Sequence, residues 1–227
     1  MKISKRLKEA KAKIEVEKVY TLSEAVALIK ETSKVKFDAS VEVHAKLGID
    51  PKKSDQLIRD SVILPHGTGK TVRVAAFVPT DQIKEAKDAG ADIAGDAELV
   101  EEIKKTGKCD FDVAITTPMF MKSLAMIARV LGQKGLMPNP KTGTIGDDVK
   151  RMIGELKKGK VSYKNDDTGN VHLVIGKVSF ETSALEENFQ TFFEALKKNK
   201  PSSAKGTYIK SLTLASSMGP GIKVSVK

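Results

Sequence analysis

Leu64-Pro65-His66-Gly67-Thr68-Gly69-Lys70-Thr71-Val72-Arg73-Val74-Ala75-Ala76-Phe77-Val78-Pro79-Thr80-Asp81 is where the chain changes rhythm, and its reading decides the fold. The first part looks like the end of a phosphate-binding loop, Gly-x-x-x-x-Gly-Lys-Ser/Thr. It fails twice: Leu64 stands where the first glycine belongs, and Thr71 to Phe77 reads as a strand where a helix should open on the phosphate. A Gly-rich hinge between two domains is the better account of Gly67 to Lys70. The apolar run Val72 to Val78 then begins a new pattern.

Downstream, apolar runs alternate with helical patterns. A helix is expected over about Asp81 to Ala89, a short run at Ala91-Asp92-Ile93 and a helix from Asp96 to Lys105. A strand at Phe111 to Ile115 and a Met-rich helix from Met119 to Leu131 follow. Strand and helix alternating at this spacing indicate parallel βαβ units. A dinucleotide fingerprint is missing, since Val78-Pro79-Thr80-Asp81 stands where Gly-x-Gly-x-x-Gly would be. A long Gly- and Pro-rich loop, Gly132 to Gly146, carries Lys134 and Lys141, and loops of that kind are functional or mobile. A last helix spans about Asp147 to Lys158.

Outside this region the pattern differs. Ser4 to Lys13 is basic and rich in helix formers. Thr21 with Glu24 has the form of a capping box, and Leu22, Val26 and Ile29 make an apolar stripe behind it. Val41, Val43, Ala45 and Leu47 then alternate with Ser40, Glu42, His44 and Lys46, the mark of a half-buried strand. Ser61 to Leu64 is a further strand. Beyond Lys160, strands at Val161 to Tyr163 and Val171 to Val178 flank the turn formers Asn165 to Asn170. An amphipathic helix follows, with Leu185, Phe189, Phe192, Phe193 and Leu196 on its buried face and Ser183 with Glu186 as its expected cap. Strands at Thr207 to Ser216 and Ile222 to Val226 end the chain.

The two ends look alike and the middle looks inserted: one domain from residues 1–66 plus 160–227, a second from 67–159. Charge supports the division. The middle holds fifteen Lys/Arg against thirteen Asp/Glu, and the ends twenty-four against sixteen. Most of the +10 net charge therefore lies in the domain of the chain ends, and a field of that sign attracts polyanions, either nucleic acid or an acidic membrane face.

Composition narrows the classes. Among 227 residues there is a single cysteine, Cys109, so no internal disulfide forms and no structural zinc spacing exists; a reducing, cytoplasmic setting fits. No apolar run is long enough to span a bilayer, and Met1 to Lys8 has the charge but not the apolar stretch of an export signal. His44, His66 and His172 lie in different segments, none opening a metal-ligand pair on one helix, so no metal, cofactor or catalytic set is expected. Lys34-Val35-Lys36-Phe37-Asp38 sets a ring among lysines, which suits a stack on a base, or else a core Phe at a strand start. The turn Ser216-Ser217-Met218-Gly219-Pro220-Gly221 combines small residues that permit close approach with a Met able to pack on a sugar or base.

Five segments together resemble one family, the bacterial large-subunit ribosomal protein one family. They are Lys36 to His44, Leu64 to Lys70, Leu131 to Thr144, Lys164 to Gly169 and Ser217 to Pro220, in the family's order and spacing. The resemblance covers essentially the whole chain and implies an α/β fold of two domains. One is a split α/β sandwich that binds RNA; the other is an inserted Rossmann-like three-layer α/β/α domain without a nucleotide. It implies a non-enzymatic constituent of the large subunit, monomeric when free. Its partners would be the mobile stalk of the large-subunit rRNA beside the exit site, exit-site tRNA whose release the stalk assists, and a similar element in the messenger of its own operon, which it represses. The family's RNA contacts map to Lys36, Phe37, Ser40, Glu42, Ser217, Met218 and Gly219, with Lys46, His172 and Lys205 as further contacts. Many members have Thr where this chain has Ser40 and Ser217. Two other classes remain open on the residues alone: a nucleotide-dependent enzyme, and a free-standing RNA- or DNA-binding regulator.

Overall fold

The computed structural model describes residues 4–15 and 17–225, so the expected end of the last strand at Val226 and the opening Met1-Lys2-Ile3 lie outside the described residues. The chain divides into two compact units, Met1–Gly69 with Val161–Lys227 and Lys70–Lys160. The crossings fall after Gly69 and Lys160, where the sequence pattern had placed them after residues 66 and 159.

The first unit begins with helix α1 (Lys5–Ala12) and helix α2 (Leu22–Thr32). Thr21 closes the expected capping box on α2: the Glu24 carboxylate accepts the Thr21 N–H at 2.9 Å and the Thr21 hydroxyl accepts the Glu24 N–H at 3.4 Å. Strand β1 (Ser40–Leu47) lies between β7 (Asn170–Lys177) and β8 (Ile209–Ser216), and β9 (Ile222–Val224) extends the sheet beyond β8. All three contacts are antiparallel. Helix α8 (Thr182–Lys198) and α2 cover one face. The alternation seen in the sequence decides which face: Val41, Val43, Ala45 and Leu47 are at most 1% exposed and join Val26, Ile29, Leu185, Phe192 and Leu196 in one core. Each large apolar side chain so buried contributes about 1.5–3 kcal/mol.

A smaller sheet pairs β2 (Arg59–Ile63) with β6 (Lys160–Lys164), and its Tyr163 packs edge-on against Phe192 of α8 at 5.5 Å. The cap expected at Ser183 is displaced. Helix α8 starts at Thr182 after Glu181, so Ser183 lies inside the first turn and no side chain caps the helix.

The second unit is built on parallel strands in the order β4 (Ile93–Gly95), β3 (Val74–Phe77), β5 (Val113–Thr116). Strand β3 is central and every one of its residues is buried. Alternate residues serve opposite faces: Val74 and Ala76 pack with α3 (Ile83–Asp88) and α7 (Val149–Lys157), Ala75 and Phe77 with α4 (Ala97–Thr106) and the helical segment before the long loop. This is the three-layer α/β/α arrangement. The single Met-rich helix expected over 119–131 is instead two short helices, α5 (Met121–Leu124) and α6 (Ala128–Gln133), joined by a tighter turn at Ala125–Ile127. Ile127 leaves the helical region at φ −113°, ψ 10°, and Leu124, Ile127 and Leu131 all reach the core.

Candidate nucleic-acid interface

Among the described residues, helices α2 and α8 cover one face of the four-stranded sheet. The other presents the polar half of the β1 alternation, Ser40, Glu42, His44 and Lys46, each partly exposed. Register then decides what surrounds them. Glu42 stands between Val174 and Ala215, His44 between His172 and Thr213, and Lys46 between Asn170 and Ser211. From Ser40 to Lys46 this row runs roughly 20 Å along the strand.

At the Ser40 end the two chain segments of the unit are tied together. Ser217 donates its N–H to the Ser40 carbonyl at 2.9 Å, and the Ser217 hydroxyl accepts the Ser40 N–H at 3.3 Å. Met218 follows in the left-handed region at φ 62°, the one non-glycine residue there among the described residues, and its side chain is 71% exposed. The Arg6 guanidinium donates to the Met218 carbonyl at 3.0 Å and the Gly219 N–H to the Ser216 carbonyl at 2.8 Å, so the conformation is held from both sides. A Cβ at Gly219 would stand 2.3 Å from Ser216 Oγ and 3.1 Å from the Ser216 carbonyl oxygen, so a side chain there would require Ser216 to shift. Just before β1, Lys36 and Phe37 project outward. Phe37 is 55% exposed, which sets aside the alternative of a core residue at a strand start. An exposed ring and an exposed thioether at one end of a polar sheet face can stack on bases or pack on sugars.

Sequence reasoning missed some members of this surface. Lys177 of β7 donates to Ser40 Oγ at 3.1 Å and to the Asp38 carbonyl at 3.4 Å, while the Asp38 carboxylate accepts the Ser179 hydroxyl at 2.8 Å. Lys223 of β9 is exposed opposite Thr213. Neither carries a sequence signal beyond being a lysine in a strand; only register places them. In the sequence His44 is one residue of a polar strand face, in a different segment from His172. The structure joins them, Nδ1 to Nδ1 at 2.8 Å.

At the opposite end, Lys46 donates to the Thr168 carbonyl in the turn between β6 and β7. Asp166 shapes that turn by accepting the N–H groups of Thr168 at 2.9 Å and Asn170 at 2.7 Å, and Gly169 completes it at φ 77°. The Asn170 and Thr168 hydrogen bonds hold the Asp166 carboxyl far below the usual carboxylate range, so it is ionised whenever the protein is folded near neutrality. Lys205 sits in the exposed loop between α8 and β8, at this same end and away from Phe37 and Met218. The candidates thus form a row along β1 with Lys205 as an outlier.

The remaining motifs fall in the second unit. Lys70 does not open a helix; its ammonium pairs with Asp112 at 2.7 Å. The loop Gly132 to Gly146 is organised by Asn139, whose carbonyl accepts both the Thr142 and Thr144 hydroxyls and whose side chain caps the turn Pro140–Thr142. Lys134 within it donates to the Gly107 carbonyl at 3.0 Å, whereas Lys141 is exposed. Cys109 is half-buried beside the core that includes Phe111. No group of three or more His, Cys, Asp or Glu able to hold a metal ion occurs among the described residues.

Residues 29–220 match the Ribosomal protein L1p/L10e family. The chain is 53% identical over 223 residues to the Large ribosomal subunit protein uL1 of Mycoplasma capricolum subsp. capricolum, with 98% of each chain covered. It is likewise 53% identical, over 98% of each chain, to the protein of the same name from Mycoplasma mycoides subsp. mycoides SC.

Proposed function

Because the chain belongs to the Ribosomal protein L1p/L10e family, we propose that it is a structural constituent of the large ribosomal subunit, in the cytoplasm, whose open sheet face binds the mobile stalk of the large-subunit rRNA. It performs no chemical step; its mechanism is positioning. The observation that carries this reading is the row along β1, with exposed Phe37 and Met218 at one end and hydrogen-bonding or charged groups along the strand. Phe37 and Met218 meet bases and sugars, Lys36 and Lys46 meet phosphates, and Ser40, Glu42, His172 and Ser217 supply donors and acceptors. Gly219 keeps the backbone of the late turn open to close approach.

Two roles follow from that surface. Held on the stalk beside the exit site, the protein moves with it and assists release of deacylated tRNA. A messenger element of the same shape competes for the same face, which makes the free, monomeric protein a repressor of its own operon.

The test is a gel-shift titration of the purified protein against the isolated stalk fragment, with an unrelated hairpin of equal length as competitor. Binding that survives the competitor is expected. Equal affinity for both RNAs would reduce the interaction to net charge and refute specific stalk recognition. Co-sedimentation with large subunits separates a ribosomal constituent from a free-standing regulator, which would remain in the ribosome-free fraction.

A further inference from the structure

Two imidazoles from distant segments meet at the centre of the open face. His44 Nδ1 and His172 Nδ1 are 2.8 Å apart, and the rings are inclined at 65° with centroids 5.0 Å apart. Two nitrogens at that distance share one hydrogen, because two lone pairs or two N–H bonds pointing at each other repel. In the neutral pair one ring donates from Nδ1 and has a bare Nε2; the other accepts at Nδ1 and carries its hydrogen on Nε2. Each Nε2 lies near a carboxylate, Glu42 at 3.8 Å from His44 and Asp166 at 3.6 Å from His172. One carboxylate therefore always faces a bare lone pair while the pair is neutral. A single added proton puts N–H on both outer nitrogens and leaves the shared hydrogen in place. A second would set two N–H bonds head to head and break the contact. The geometry accepts one proton and resists two.

The surroundings set when that proton arrives. Strand β1 contributes Glu42 and Lys46, the turn before β7 contributes Asp166 and Asp167, β8 places uncharged Thr213 beside His44, and β9 places Lys223 beyond it. Lys177 stands at the Ser40 end. Burial first, and His172 second, push the His44 imidazole below its ordinary value, against the pull of Glu42. In the free protein His44 is thus held toward its neutral form, with two carboxylates at the flanks of the pair on a face that has to receive a polyanion. Phosphates brought close to it favour protonation, since a negative potential stabilises the imidazolium.

We propose that RNA binding at this face is coupled to uptake of one proton by the His44–His172 pair, which makes His44 a further RNA-recognition residue. The inference rests on the reading of the face as the RNA-binding surface. By linkage, affinity rises as pH falls, by up to tenfold per pH unit where one full proton is taken up.

The experiment measures affinity for the rRNA stalk fragment from about pH 5 to about pH 8, the range in which imidazole titrates. Calorimetry in buffers of different ionisation enthalpy counts the protons. The wild type should take up close to one proton at the steepest point. His44→Gln and His172→Gln should each flatten the pH profile while the circular dichroism of the fold is retained. His66→Gln should keep the wild-type slope, because the third histidine lies outside the row along β1, beside Glu187 of α8 at 2.7 Å. A pH-independent wild-type affinity, a slope that survives both His44→Gln and His172→Gln, or uptake of two protons overturns the proposal. Binding without pH dependence would leave the RNA-binding reading standing and remove only the coupling. Absence of RNA binding at every pH would remove both.

Discussion

Replacing Met218 by glycine should make the protein more stable and a poorer RNA binder, whereas replacing it by alanine should do only the second. Met218 sits at φ 62°, a conformation that costs an L-residue about 1–2 kcal/mol because its Cβ crowds the following carbonyl. Glycine removes that cost but gains about 0.4–1 kcal/mol of unfolded-chain entropy, so its net advantage over alanine is roughly 0.5–1 kcal/mol. Alanine keeps the Cβ and the strain. Its effect on stability should stay within about 0.5 kcal/mol, as at other exposed positions. The binding loss is the same for both. The side chain is 71% exposed in the free protein. Covering that fraction of a methionine is worth about 1–2 kcal/mol, or a loss of roughly 5- to 30-fold in affinity when it is deleted. Stability can be read on the correct unit: the chain has no Trp, and Tyr20, Tyr163 and Tyr208 are all buried in the unit that carries this turn. Tyrosine fluorescence in a urea titration therefore follows that unit, and the gel shift gives affinity. If the glycine variant proves less stable than the alanine variant, the strain argument is wrong. If both bind the stalk fragment like wild type, Met218 is no contact.

Other outcomes are expected from single changes. Asn188 is fully buried, donates to the carbonyls of Ile175 at 2.7 Å and Gly67 at 2.9 Å, and accepts the His66 N–H at 3.1 Å. Asn188→Ala leaves these groups without their partner and should cost on the order of 3 kcal/mol in the same tyrosine-detected titration; a loss under about 1 kcal/mol would mean that water replaces the amide. Lys36→Ala should lower the log–log salt slope of RNA affinity by about 0.7–0.9, the contribution of one phosphate, and an unchanged slope would place Lys36 off the backbone. In the second unit, hydrogen bonds from Lys157, Lys70 and Lys160 hold the carboxyls of Asp92, Asp112 and Glu155 respectively below their ordinary range. A carboxyl lowered in the folded state adds stability above its unfolded value near about pH 4 and loses it as pH falls through the folded value, so Asp112→Asn should flatten the acid dependence of that unit's hydrogen-exchange protection. An acid profile identical to wild type would argue that the Lys70 pair contributes nothing.

Much of this molecule follows from sequence alone because its signals are local. The alternation from Ser40 to Leu47 depends only on the two-residue period of a strand, and it correctly assigned which side chains enter the core. The capping box at Thr21 involves residues three apart, and the departure of Gly67 to Thr71 from a phosphate loop is a matter of residue type and the strand behind it. The apolar runs from Val72 to Ile115 told of a parallel α/β unit because each strand and helix carries its own period. The helix break at Ala125–Ile127 and the uncapped start of α8 were illegible, since packing on the core and not propensity decides them.

What only the tertiary structure decided is which strands are neighbours. Period tells a strand which face is polar but not what stands beside it. Ser40 meets Ser217 across 177 positions and His44 meets His172 across 128, so the surface that unites them exists only once β1 has closed between β7 and β8. The same closure makes Phe37 an exposed ring and not a core one, fixes Met218 in a strained turn, and sets two imidazoles close enough to share a hydrogen. Those are properties of long-range register, which no local pattern in the chain encodes.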